Sequence, residues 1–464
     1  MTRHDPRIAV VGGGISGLSA ALELALGTEG RADIALLESQ ERTGGVIRTS
    51  EFAGLPVDEG ADAFLRRVPD ALEVAAAVGM RDLTAPTGAS AAVWVDRLRP
   101  LPEGLLLGVP TSVRSLVRSR LVSPRGSARA LADLVLPSRG LEHDSIGTWV
   151  RARLGSEVHD RLIDALVGSI YAADTDRFSL ASVPQLDGLA RGGRSAILTA
   201  LRTRRPPTRE PIFAAPPTGM GSLTDAIASR IVELGVTMRI GRAVDRIQPV
   251  DGSVEIDGER FDAVVLATPA RVSARLLETS APTAASALAS IEAAGVIMVT
   301  LAVPAGSLPP SCSDLSGYLV PKSRQRSVTA VSFASSKWAH LRPADGSQIL
   351  RVSLGRDGLD MDDLDDDDTQ TRVIDEVSLH LGCDVAPTAT RITRWPGAFP
   401  QYRPHHGALV ASIERSLPQT IVAAGASLHG IGVPSCVASG RRAARTVLER
   451  LGLGHPPNGD PVRP

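Results

Sequence analysis

Gly12, Gly14 and Gly17 stand in the spacing G-x-G-x-x-G directly behind the apolar run RIAVV at residues 7–11. The first glycine permits a tight turn, the second lets the backbone approach a pyrophosphate, and the third lets a helix pack closely on a strand. A helix that starts there, with Gly13, Ile15 and Ser16 in its opening turn, aims free N–H groups and the positive end of its dipole at the phosphates. Alone, the spacing says only dinucleotide, and a structural glycine turn carries the same letters. Glu38, about twenty residues on, supplies an acid where ribose hydroxyls are bonded, and Ser39 stands beside it. Arg42, Thr43, Gly44, Gly45 and Val46 then form a second glycine turn next to a cation. That extension favours FAD over a nicotinamide cofactor.

The elements that must hold these residues are legible in the periodicity. Residues 7–11 read as a buried strand, 15–26 as a helix and 33–38 as a second strand, the context that makes the glycine spacing credible. Residues 68–80 read as a helix and 90–110 as short strands with turns. Residues 112–201 read as helical, interrupted by Pro124 and Pro137. Short strands are expected at 236–240 and 244–248, a hairpin and a buried strand over 251–269, and further strands at 295–303, 328–334 and 348–354. The acidic run 359–368 could bind a metal; it reads better as a solvated loop ahead of a helix at 369–381, since acids favour helix N-termini. No metal site is expected. The Pro/Gly-rich end beyond Gly454 is expected to fray.

Composition narrows the class. A chain of 464 residues with 43% apolar content holds two or three domains. A net charge of -1 gives no bulk attraction to nucleic acid or acidic membranes. Only Lys322 and Lys337 are lysines; the other basic residues are arginine. Cys312, Cys383 and Cys436 are far apart and show no metal spacing, so a reducing cytoplasm is expected. No apolar run reaches the length of a membrane span, and no signal peptide is read at the N-terminus.

Several blocks in order resemble the protoporphyrinogen/coproporphyrinogen oxidases, within the wider amine-oxidase-like flavoproteins. They are GGGISGLSAA (12–21), ERTGGVIRT (41–49), DEGADAFL (58–65), RLRPLPEGLLLGVPT (97–111), SIYAADTDRFSLASVPQL (169–186), LSGYLVP (315–321), TAVSFASSKW (329–338), RWPGAFPQY (394–402) and LHGIGVPSCVASGRRAA (428–444). The similarity runs from about Arg7 to Arg445, and SSKW and PQY are similar to the soluble Gram-positive branch. Departures are Ala61 in place of a proline, Ser169 and Ala173 in place of glycines, and Ala91 or Ala92 near where some members place a basic residue.

The resemblance implies an α/β fold: a Rossmann-like FAD domain built from 5–67, 212–275 and 408–455, and a mixed-sheet substrate domain from 68–109 and 276–407. A helical insertion at 110–205 would wall the cavity, with a weak membrane-docking face, and 455–464 would be a flexible tail. The topology expected is that of amine oxidases and p-hydroxybenzoate hydroxylase. It implies non-covalent FAD held also by Gly60, Ala61, Asp62, Ala63, Val244 and Trp395, with Ile431, Gly432 and Val433 against the isoalloxazine ring. It implies oxidation of a porphyrinogen by O₂ with release of H₂O₂. The substrate is expected to be coproporphyrinogen III, protoporphyrinogen IX being the alternative, with product handed to a ferrochelatase and at most peripheral membrane contact.

A substrate with four propionates needs cations at the pocket mouth. Arg48, Arg99 and Lys337 are the candidates, each equally readable as a surface cation; Ser169 and Tyr171 are candidates for the wall. His405 and His406 could hold a propionate or act as a base, although a loop role is the commoner outcome for such a pair. No catalytic base is assigned. Two rivals remain. An amine oxidase or desaturase would show A-G-E near the C-terminal motif, whereas residues 424–427 read AGAS. A GDI-like carrier of the same fold would lack Gly12, Gly14, Gly17, Glu38 and Arg42.

Overall fold

In the computed structural model, residues 5–137, 144–203 and 210–453 are described. The expected tail at 455–464 and the end of the helical stretch at 204–205 lie outside them.

The run RIAVV forms the strand Arg7–Val11, with Ile8, Ala9 and Val10 fully buried. It pairs in parallel with Asp33–Leu37 on one side and Ala263–Leu266 on the other. Thr237–Arg239 and Ile421–Ala423 complete a five-stranded parallel sheet. Strands covered on both faces must be apolar throughout, which is why these read as continuous runs rather than alternations. Helices Ile15–Thr28 and Val433–Arg450 cover one face together. Their contact needs glycine: a Cβ on Gly440 would lie 2.0 Å from Ser16 O. Leu18, Leu22, Val437 and Val447 fill the seam, each large side chain contributing about 1.5–3 kcal/mol by burial.

A seven-stranded mixed sheet lies beyond it. Its order is Ala389–Pro400, Ala293–Val303, Gln348–Leu354, Val328–Phe333, Leu315–Leu319, Ser90–Trp94 and Leu98–Pro100. Period-two alternation divides its faces. Leu350, Val352 and Leu354 face an apolar core under the helix Asp366–Leu381. Arg351, Arg391 and Thr393 instead reach the hairpin Thr49–Phe52/Leu55–Asp58 and the segment behind it.

Over 113–137 and 144–203 the chain is mainly helical, as expected; residues 138–143 of that stretch lie outside the described residues. The turn His159–Gly168 is a π-helix, and Ser169–Tyr171 continues it until Ala172 stops it at φ 45°. Two expectations are corrected. The helix after the acidic run begins at Asp366 rather than 369, because Asp365 caps it by accepting from Asp368 N at 2.8 Å. The strand expected at 244–248 is Ile247–Val250, and Val244 lies in the loop before it.

Candidate functional site

The glycine turn is built for a ligand. Gly12 stands at φ 103°, and a Cβ on Gly17 would lie 1.8 Å from Gly12 O, so helix and strand touch there. Nothing lies within 4 Å of where a Cβ on Gly14 would sit. The helix Ile15–Thr28 has no side-chain cap and no acid in its first turn. Its leading N–H groups therefore face open space, which fits a pyrophosphate. Gly13 N donates to Glu38 Oε2 at 2.6 Å, and Gln40 N and Ser39 Oγ donate to Glu38 Oε1 at 2.7 and 3.2 Å. The carboxylate is thus fixed: Oε1 accepts two bonds, and Oε2, which accepts one, keeps a lone pair for a ribose hydroxyl. Arg242 N bonds Glu38 O, which brings the loop carrying buried Val244 alongside.

The second glycine turn lies on the first. Gly44 N donates to Gly13 O at 2.8 Å, and a Cβ on Gly45 would be 3.3 Å from Gly14 Cα. Arg42 is exposed but folds back on the turn. Its guanidinium donates to the carbonyls of Thr43, Gly45 and Ile47 at 2.9, 2.7 and 3.2 Å and so shapes the turn itself. Val46 is left 51% exposed beside it.

A second helix end is uncapped as well. Gly432 precedes Val433–Arg450, which again has no side-chain cap and no acid in its first turn. Cys436 is buried, with Sγ towards the carbonyls of Gly430 and Ile431. Burial pushes its thiol up to about 11, so it stays protonated. Ile431 packs against the helical core rather than the core under the parallel sheet.

Segment 58–63 joins the two sheets. Asp58, only 4% exposed, accepts from Thr49 Oγ1 at 2.5 Å and Met220 N at 2.8 Å. Burial raises its carboxyl to about 6. Glu59 accepts from Thr393 Oγ1 at 2.9 Å, and Trp395 Nε1 donates to Glu59 O at 2.9 Å. A Cβ on Gly60 would come within 2.5 Å of Val46 O, which puts this segment against the glycine turns. Ala61 packs with the core of the parallel sheet and its helices, and Ala63 with a smaller cluster around Trp338. Burial alone would raise Asp62, but Lys337 Nζ at 2.8 Å and Arg351 Nη1 at 3.3 Å outweigh it and hold the carboxyl well below its usual range.

Ser169 lines a small cavity of about 20 Å³, room for one water, between the helical turn and the mixed sheet, with Gly168, Ala172, Val296, Ser353 and Phe399 among its walls. Tyr171 packs on the helical core, its ring 5.0 Å from that of Phe178, and burial raises its hydroxyl pKa. Arg356 crosses from the mixed sheet to this wall. It forms a bidentate pair with Asp164 at 2.9 and 3.0 Å, both side chains buried, and donates to Ala173 O.

The three expected cations are not gathered around that cavity, because the protein already pairs each of them. Arg48 Nε lies 3.1 Å from Glu59 Oε1, Arg99 Nη2 lies 3.1 Å from Asp96 Oδ1 in its own hairpin, and Lys337 holds Asp62. A substrate carboxylate would have to compete with these partners. His405 pairs with Asp144 at 3.0 Å on the surface. His406 is buried, its pKa lowered by that burial, and its ring stacks 4.0 Å from Tyr402. Among the described residues no cluster of metal ligands is present, and no helix is long and apolar enough to cross a membrane.

A parallel sheet with a G-x-G-x-x-G turn and two uncapped helix ends is the arrangement of a dinucleotide-binding fold. The chain belongs to the flavin containing amine oxidoreductase family, which it matches over residues 15–448, and its cofactor is FAD. It is 35% identical over 454 residues to the coproporphyrinogen III oxidase of Mycobacterium tuberculosis, covering 95% of this chain and 97% of that one. It is 28% identical over 475 residues to the coproporphyrinogen III oxidase of Bacillus subtilis, covering 97% and 100%. The crystal structure of an Exiguobacterium sp. 255-15 protein assigned as a protoporphyrinogen oxidase superposes with a TM-score of 0.85 at 26% identity, covering 96% and 99%.

Proposed function

We infer that this chain is an FAD-dependent oxidase that converts coproporphyrinogen III to coproporphyrin III, with O₂ as terminal acceptor and H₂O₂ as by-product. The observation that carries this reading is the 35% identity to a coproporphyrinogen III oxidase over 95% of the chain, joined to a groove whose residues fit FAD. Bound FAD accepts hydride equivalents and passes the electrons to O₂. The helix ends at Gly14 and Gly432 hold the cofactor's anionic parts, and Glu38 orients its ribose. We place the tetrapyrrole against the turn Ser169–Tyr171 at a domain interface; the cavity of about 20 Å³ at Ser169 is only part of the space it needs. Three rounds of two-electron removal aromatise the ring, and no side chain is assigned as base for the pyrrole protons. Arg48, half exposed beside Glu59, is the most accessible of the three cations to a propionate. Handover to a ferrochelatase and weak peripheral docking of the helical face on a membrane belong to the same reading. Val117 and Leu201 stand exposed on that face.

The test supplies coproporphyrinogen III and protoporphyrinogen IX separately in air and follows porphyrin fluorescence and H₂O₂. Faster turnover of coproporphyrinogen is expected. Faster turnover of protoporphyrinogen would overturn the substrate preference. Oxidation of neither would overturn the assignment, and a colourless purified protein would favour the carrier.

A further inference from the structure

We propose that the adjacent residues Gln401 and Tyr402 form a clamp that sets the gap between the flavin loop and the substrate wall, which makes both of them positioning residues for the reaction. The proposal rests on the function inferred above.

Both side chains are 2% exposed, yet each is polar and each works across elements. Gln401 Nε2 donates to Tyr171 O and Ala172 O, both at 3.3 Å, and to Phe399 O at 2.9 Å. Three carbonyls around one nitrogen fix which end of the amide is which. Ala172 and Phe399 both line the cavity that Ser169 lines, one from the helical wall and one from the sheet. Gln401 therefore ties the two walls together at their joint. Ala172 needs that tie, because it is a non-glycine residue held at φ 45°.

Tyr402 faces the other way. Its hydroxyl donates to Ala426 O and accepts from Gly430 N at 2.8 Å. Burial raises the pKa of that hydroxyl, so it keeps the proton it donates. Both bonds end on the short helix Ala426–His429 and its cap Gly430, the segment that delivers Ile431 and Gly432 to the uncapped helix. The Tyr402 ring stacks 4.0 Å from His406 and 5.7 Å from Phe178, and Phe178 in turn meets Tyr171. His406 Nε2 lies 3.3 Å from Leu428 O, on the same segment. Ser179 N bonds Tyr402 O at 2.7 Å, and Gln401 N bonds Glu292 O at 2.8 Å. The pair is thus held in the backbone from both sides. One peptide unit separates the group that fixes the wall from the group that fixes the flavin loop.

The test uses the FAD-loaded enzyme, FAD-free protein titrated with FAD, and two near-isosteric variants. Tyr402→Phe keeps the ring stack and deletes both hydroxyl bonds. It is expected to weaken FAD binding about fivefold to tenfold, the loss of one to two hydrogen bonds, and to move the visible flavin bands. Gln401→Met keeps the volume and deletes the wall bonds. It is expected to raise KM for coproporphyrinogen by a similar factor while FAD affinity and flavin spectrum stay unchanged. A merely structural role would lower the melting temperature of both variants and leave FAD affinity, spectrum and KM alone; that result would overturn the proposal. So would the reverse split, with Gln401→Met altering FAD binding and Tyr402→Phe altering only KM. Wild-type enzyme that oxidises neither porphyrinogen would sink the functional reading instead. The FAD titration of Tyr402→Phe would still judge the flavin half of the clamp.

Discussion

Asp58 should make this protein less stable as the pH rises through the range where most carboxylates are already ionised. The side chain is 4% exposed and accepts from Thr49 Oγ1 and Met220 N. Burial lifts its carboxyl from an ordinary 3.8 to about 6. An acid whose folded pKa is raised binds its proton more tightly in the folded state, so its stabilising contribution is fully present below pH 3.8 and is lost as pH rises through about 6. At roughly 1.4 kcal/mol per pH unit, the penalty relative to low pH is about 1 kcal/mol at pH 4.5 and about 3 kcal/mol at pH 7.5. Asp58→Asn retains an acceptor for Thr49 and Met220 and cannot ionise. Any constant cost of the amide cancels when the variant is compared with wild type at two pH values. The variant should therefore gain about 2 kcal/mol on wild type between pH 4.5 and 7.5. For a chain of this length unfolding as one unit, the entropy is about 1 kcal/mol/K, so the gain is about 2 °C in melting temperature. Thermal scans of both proteins in excess FAD measure it. A difference in melting temperature that is equal at the two pH values, or larger at pH 4.5, would refute the account of Asp58 as a buried, reluctantly ionised acid.

Gly14→Val places a side chain in the open space at the helix end and should yield protein that elutes without flavin colour; full occupancy would refute the cradle. Arg356→Met leaves Asp164 buried without its partner and should cost about 3–5 kcal/mol, read as a large fall in the denaturation midpoint. Replacing Asp164 as well, in Arg356→Met/Asp164→Leu, should recover part of that loss, and a double variant no more stable than the single one would count against the pair. Arg48→Gln should raise KM for coproporphyrinogen severalfold with little change in kcat, whereas Arg99→Gln, which removes only a hairpin ion pair, should leave KM within about twofold. Equal effects in the two variants would contradict the contrast drawn from their partners.

The parts of the fold that were legible in the sequence are those whose signal is local. RIAVV is continuous because both of its faces are covered. The strand 348–354 alternates because only Leu350, Val352 and Leu354 meet the core under the helix Asp366–Leu381. The turn at Gly12 is legible because backbone torsion and close approach restrict those positions to glycine. The helix end at 365–368 was misplaced because a cap is one hydrogen bond, and four successive aspartates offer four candidates for it. Contacts between distant parts of the chain left no local trace. Asp164 and Arg356 are 192 residues apart. Gln401 lies in a block whose resemblance was noted, yet nothing in the letters PQY shows that one side chain turns to the wall and the next to the flavin loop. Gly440 carried a usable hint: glycine inside a helix is costly unless another backbone comes close, and here Ser16 does.

The candidate cations show a different limit, one of charge rather than distance. The chain holds 50 basic and 51 acidic residues. In so balanced a chain, a cation chosen by position alone will usually have been met by one of the protein's own carboxylates. Arg48, Arg99 and Lys337 are three such cases, with Glu59, Asp96 and Asp62 as partners. Exposure then separates them. The Arg48 side chain is 50% exposed although its partner Glu59 is 4% exposed; Nε holds Glu59, which also accepts from Thr393 Oγ1, so a propionate could share the exposed side of that guanidinium without displacing the buried carboxylate. Lys337 is 24% exposed, and its partner Asp62 also binds buried Arg351 and Trp338. Drawing Lys337 to a substrate would leave that carboxylate short of a partner at the joint between the two sheets. The anionic end of the substrate is therefore better sought at Arg48 than at Lys337, and the order of KM effects, Arg48→Gln above Arg99→Gln, is what that reasoning commits to.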